Sequence, residues 1–196
     1  MVALVVQRST DKREITPLIQ PIKEVSEEVY ANQASLAAES SPASEKPSGP
    51  TGQISVSAAA AYLMSNSEPL YIFRGEKQWP IASVTKLMSS LIARRLMPET
   101  EIVMMDEKAV AAYGEAGGFK IGERFTAEDL VQAMLVVSSN DAAEALVSHY
   151  GQKEFMVEMN NLATVIGMTN TVFVDATGLS PGNLSTPNDL NKLVQF

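Results

Sequence analysis

The stretch Ile81-Ala82-Ser83-Val84-Thr85-Lys86-Leu87-Met88 places a serine and a lysine three residues apart at the start of an apolar run. In an α-helix, positions i and i+3 are neighbours on one face. Ser83 Oγ and the Lys86 amine can then lie side by side. A serine hydroxyl is a weak nucleophile until a base takes its proton, and a lysine can be that base when burial favours its neutral form. Ser83 is therefore a candidate nucleophile and Lys86 its activator. The spacing alone is not specific: Ser9-Thr10-Asp11-Lys12 repeats it in a polar stretch with no apolar helix around it.

Context separates the two copies. Val84, Leu87, Met88, Leu91 and Ile92 fall at i, i+3, i+4, i+7 and i+8, which predicts a helix from Ser83 to about Leu96 with a stripe toward a core. Its other side holds Ser89, Ser90 and Ala93, all small. Charge returns only at Arg94 and Arg95, in the last turn, where cations suit the helix dipole. Such a helix is buried on most sides, with Lys86 inside. A buried lysine is costly unless it is paired or functional, the alternative being a side chain that reaches back to water.

The 196-residue chain is long enough for one domain with a real core. Its net charge of −8 argues against a nucleic-acid partner, because phosphate binding needs a basic face. It has no cysteine, which excludes disulfides, cysteine nucleophiles and thiolate metal sites. Its one histidine, His149, rules out a two-histidine zinc site and is read as a surface helix residue rather than a triad member. The apolar run in Met1 to Arg8 is too short for a signal peptide or a membrane span; it reads either as part of a cytosolic chain or as the tail of a longer apolar segment.

Residues 1–52 read as a disordered tail and linker, with one short helix from Lys23 to Tyr30. From Gln33 to Gly52 the chain is built of Ala, Ser, Pro, Glu and Gly, and cannot bury enough apolar surface to offset its ordering entropy. The domain occupies 53–196. Ala59 to Met64 and Leu70 to Phe73 flank turn residues and predict a β-hairpin. Glu101 to Met105 reads as a short strand. Thr126 with Asp129 forms a capping-box pattern ahead of a helix through Leu130 and Met134 to Val137. Ser138-Ser139-Asn140 then falls at a helix–helix junction, where side chains either point into a cleft or cap the next helix. Gly151 and Gly167 bracket a further helix. Its methionines are read as core. Thr186 and Pro187 start the last helix. Strands first and helices after predict an α+β fold.

Ser83-x-x-Lys86 followed by Ser138-x-Asn140 supplies, in order, two of the three motifs of the active-site-serine penicillin-recognising enzymes. Residues 80–88, 134–143, 167–173 and 177–180, with Asn183, Ser185 and Thr186, closely resemble the low-molecular-weight penicillin-binding proteins. These are serine D-alanyl-D-alanine carboxypeptidases and endopeptidases, and the resemblance covers roughly residues 54–196. It implies a β-lactamase-like α+β domain with an antiparallel sheet flanked by helices and a helical subdomain, and it implies no cofactor. Ser83 would attack the penultimate D-Ala carbonyl of a peptidoglycan stem peptide and form an acyl-enzyme. Lys86 would accept its proton, Ser138 would relay a proton to the leaving amine, and Asn140 would hold the substrate amide and the lysine. The Ser83 N–H would form half of an oxyanion hole. β-Lactams would trap Ser83, and the work would lie outside the cytoplasmic membrane, with any membrane anchor outside this chain. A penicillin-hydrolysing role fits less well, because no glutamate follows Glu158. The family's K-T-G strand has no counterpart before Phe196, since Ala176-Thr177-Gly178 lacks the lysine. The chain is therefore expected to be part of a longer enzyme, with low activity by itself. A non-catalytic relative that binds cell-wall peptide or protein is the competing reading.

Overall fold

Pro80 pairs with Leu184 and Trp79 with Ser185, so two strands far apart in sequence grip the chain just before the Ser83 turn. The computed structural model describes residues 2–7, 56, 58–63, 68–114 and 116–196. The expected helix from Lys23 to Tyr30 and the linker lie outside these residues.

In chain order the elements are β1 (Val2–Gln7), β2 (Ala58–Leu63), β3 (Pro69–Phe73), β4 (Trp79–Pro80), a 3-10 turn (Ala82–Val84), α1 (Thr85–Leu96), β5 (Ile102–Met104), α2 (Glu107–Val110), β6 (Arg124–Thr126), α3 (Ala127–Val136), α4 (Asn140–Tyr150), α5 (Gln152–Val165), β7 (Leu184–Ser185) and α6 (Pro187–Gln195). The α+β class is as expected, as is the β2–β3 hairpin. Val2–Gln7, read from sequence as tail, instead forms a strand parallel to β2. Its Val-Ala-Leu-Val-Val run has the β-branched character that suits a pleated surface. The three sheets are β1-β2-β3, β4-β7 and β5-β6.

The helices begin where local chemistry starts them. Thr126 Oγ1 accepts from Asp129 N at 3.1 Å while Asp129 Oδ2 accepts from Thr126 N at 3.2 Å, closing the expected capping box of α3. Thr186 Oγ1 accepts from Asp189 N at 3.1 Å, with Pro187 at the first position of α6. Gly151, at φ +119°, both ends α4 and opens α5.

One core lies where α1 packs on α3, α4 and α5. Met88, Ile92, Val103, Leu130, Met134, Leu146, Phe155 and Met159 fill it. Of the methionines expected in the core on α5, Met159 is there and Met156 packs against it partly buried. The predicted stripe of α1 is shifted: Leu87 is exposed, whereas Thr85, Lys86, Ser89, Ser90 and Ala93 are buried with Met88 and Ile92. The helix turns its small polar side inward because a polar partner waits there, the loop of residues 174–183.

Candidate active site

Ser83 sits in the 3-10 turn that leads into α1, one residue after Ala82, whose φ is +46°. A left-handed alanine costs roughly 1–3 kcal/mol and persists only where its surroundings hold it. Three contacts hold this one. The β4–β7 pairing fixes Pro80, Ile81 N donates to the Asn183 carbonyl at 3.0 Å, and Gly178 packs flat against the Ala82 and Ser83 backbone. A Cβ at Gly178 would lie 1.9 Å from the Ala82 carbonyl oxygen, and the residue's φ is +83°, so only glycine fits.

Lys86 is 2% exposed. Its Nζ lies 3.2 Å from Ser83 Oγ and donates to the Thr177 carbonyl at 2.5 Å. Burial pushes the amine below the usual lysine range, and the carboxylate of Asp175 pulls it partly back. The pair expected from spacing is thus formed: an exposed hydroxyl beside an amine biased toward its neutral form.

Ser138-Ser139-Asn140 lies at the α3–α4 junction as expected, and its three residues divide the work. Ser139 takes the cap, accepting from Ala142 N at 3.2 Å. That leaves the side chains of Ser138 and Asn140 outside the capping bond. Ser138 is exposed at φ +57°, itself a left-handed non-glycine residue. Asn140 Nδ2 donates to the Tyr113 carbonyl at 2.6 Å, so the backbone at Tyr113 rests on this motif. The family resemblance gives Asn140 a bond to the lysine; among the described residues the bonds of Lys86 run to Ser83 and Thr177 instead. No hydrogen bond joins Ser138 to Ser83 or Lys86 among the described residues. α4, which Asn140 opens, packs against α1, and α3, which ends just before Ser138, packs against both.

His149 lies in the last turn of α4, exposed, with Nε2 3.4 Å from Glu101 and far in role from the serines. Sequence reading found no role for Asp175 or for the Thr177 carbonyl. The D-x-x-G pattern of a tight turn, Asp175 to Gly178, was the available signal. It shows a turn but not what the turn touches.

Solved structures of similar fold are penicillin-binding proteins and DD-peptidases. A D-alanyl-D-alanine carboxypeptidase from Mycobacterium tuberculosis superposes with a TM-score of 0.71 at 27% identity, covering 78% of this chain and 60% of that one. A penicillin-binding protein from Listeria monocytogenes in its ampicillin-bound form does so with a TM-score of 0.66 at 32% identity, over 75% of this chain and 63% of that one. The chain belongs to the D-alanyl-D-alanine carboxypeptidase family, whose model matches residues 43–196. Among curated relatives, a D-alanyl-D-alanine endopeptidase of Escherichia coli is 35% identical over 119 residues, 59% of this chain and 38% of that protein. A D-alanyl-D-alanine carboxypeptidase of Bacillus subtilis is 27% identical over 150 residues, 71% of this chain and 39% of that protein. The chain thus spans well under half the length of these relatives.

Proposed function

We propose that this chain carries the nucleophile and base of a serine D-alanyl-D-alanine peptidase acting on peptidoglycan stem peptides. The carrying observation is the buried Lys86 amine 3.2 Å from Ser83 Oγ. Neutral Lys86 takes the Ser83 proton as Oγ attacks the penultimate D-Ala carbonyl. The bond to the terminal D-Ala breaks, an acyl-enzyme forms, and water later releases it. Ser138, exposed at the α3–α4 junction, delivers the proton to the leaving amine. Asn140, anchored through Tyr113, holds the substrate amide. The Ser83 N–H, at the start of a helix, faces the developing oxyanion. The substrate puts the work outside the cytoplasmic membrane. Among the described residues no helix is long and apolar enough to cross one.

Carboxypeptidase action is the reading the family match supports. Endopeptidase action on cross-linked peptides is favoured by the 35%-identical Escherichia coli relative. Incubation of the full gene product with a pentapeptide and with a cross-linked muropeptide separates them: one releases D-Ala, the other cuts the cross-link. β-Lactams, which resemble the D-Ala-D-Ala end, acylate Ser83. A fluorescent penicillin is expected to label the full gene product covalently and to leave Ser83→Ala unlabelled. A folded full-length protein that takes no label with Ser83 intact overturns the enzymatic reading in favour of a binding role.

A further inference from the structure

We propose that Asp175 is a positioning residue for the Ser83–Lys86 pair. Its carboxylate folds the 175–180 turn that sets the Thr177 carbonyl on Lys86 Nζ and Gly178 against the backbone of Ser83. The inference rests on the reading of Ser83 and Lys86 as nucleophile and base.

The geometry begins at the carboxylate. Asp175 Oδ1 accepts from Thr177 N at 2.8 Å, Thr177 Oγ1 at 3.0 Å and Gly178 N at 2.5 Å, and Oδ2 accepts from Ser180 N at 2.7 Å. One side chain therefore organises four donors of its own turn. Both oxygens accept, which a carboxylate does and an amide cannot.

The turn is then clipped to α1 through fully buried Asn183. Asn183 Oδ1 accepts from Val174 N and Asp175 N at 2.7 and 3.1 Å. Its Nδ2 donates to Thr85 Oγ1 and to the Asp175 carbonyl, both at 2.9 Å. Ser89 Oγ donates to the Ala176 carbonyl at 2.7 Å. Thr85, Lys86 and Ser89, three residues on one face of α1, are thus each bonded to this one loop. The inward polar side of the helix exists to meet it.

Asp175 also faces Lys86 electrostatically. The helices packed against α1 carry Glu128 and Asp129 on α3, Asp141, Glu144 and His149 on α4, and Lys153, Glu154 and Glu158 on α5. Glu128 is engaged by Arg94, Asp129 by Thr126, Glu144 by Lys108 and His149 by Glu101. The charge that acts on Lys86 is that of Asp175. The carboxylate that positions the base thus also opposes, in part, the loss of its proton that burial favours.

The test uses Asp175→Asn and Asp175→Glu with two readouts. One is the NMR titration of the Lys86 side chain, assigned by loss of its signal in Lys86→Arg. The other is the pH dependence of acylation by a fluorescent penicillin. In Asp175→Asn the Lys86 midpoint and the acid limb of acylation both move to lower pH, because the charge that favours protonated lysine is gone. The plateau rate falls by about 10–100-fold as the turn loses an acceptor. In Asp175→Glu the charge remains and the acid limb stays near that of the wild type, while the plateau falls because the longer side chain displaces the turn. A folded Asp175→Asn with the wild-type midpoint overturns the proposal. If that variant does not fold, Asp175→Glu with a wild-type plateau overturns it. The NMR titration decides even for a chain that no penicillin labels, and such a chain would instead remove the catalytic reading of Ser83.

Discussion

A lysine is a base only in its neutral form, and burial biases Lys86 toward that form. Its folded midpoint lies below the ordinary 10.5, with desolvation the main cause and Asp175 opposing it. Between that midpoint and 10.5 the unfolded chain binds more protons than the folded one, so stability rises with pH across this window. Below the folded midpoint both states are protonated and the cost of burying the charge is fully present. Urea melts at stepped pH are expected to show this rise in the wild type and not in Lys86→Met. The same substitution is expected to lower the acylation rate by about 10²–10⁴-fold, the usual contribution of a positioned general base. The acid limb of acylation in the wild type is expected below pH 10.5, measured as rate against pH.

At the scale of elements, the proposed site draws on α1, the α3–α4 corner and the 174–183 loop. Two left-handed non-glycine residues mark it, Ala82 just before Ser83 and the motif serine Ser138 itself. The loop side depends on Gly178. In Gly178→Ala the new methyl group meets the Ala82 carbonyl at 1.9 Å, so loop and turn must separate. That variant is expected to melt well below the wild type and to lose penicillin labelling, checked by circular dichroism and gel fluorescence. The α3 capping box lies away from the chemistry. Thr126→Ala is expected to cost about 1 kcal/mol, a fall in Tm of about 2–4 °C, with labelling kinetics unchanged. Calorimetry alongside labelling separates the two effects.

For the whole molecule, the feature that matters is the outer strand of the larger sheet. Leu70, Tyr71, Ile72 and Phe73 on β3 are 36–45% exposed, and β3 ends the order β1-β2-β3. An exposed apolar edge strand is a template for further pairing. The isolated 196-residue chain is expected to bind a hydrophobic dye and to self-associate. Leu70→Lys is expected to reduce both, measured by dye fluorescence and sedimentation velocity. The net charge of −8 opposes self-association by repulsion but leaves this strand's own character unchanged.

What the sequence determined by itself was local. The Ser83–Lys86 spacing, the capping residues Thr126 and Thr186, the β2–β3 hairpin and the order of the two motifs all follow from rules that act within a few residues. Those rules are legible because neighbours in sequence are neighbours in space. The burial of the small-residue side of α1 with Lys86 was legible, but the partners that meet it were not. Hydrophobic periodicity pointed to Leu87, whereas Ser89 is buried because the Ala176 carbonyl waits for it 87 residues away. The same holds for Lys86, whose second partner, the Thr177 carbonyl, is 91 residues distant. It holds also for β1, whose apolar run found β2 as its neighbour. Only the tertiary structure decided these pairings, because a backbone carbonyl or a free strand edge looks alike in every sequence until the fold brings a partner to it.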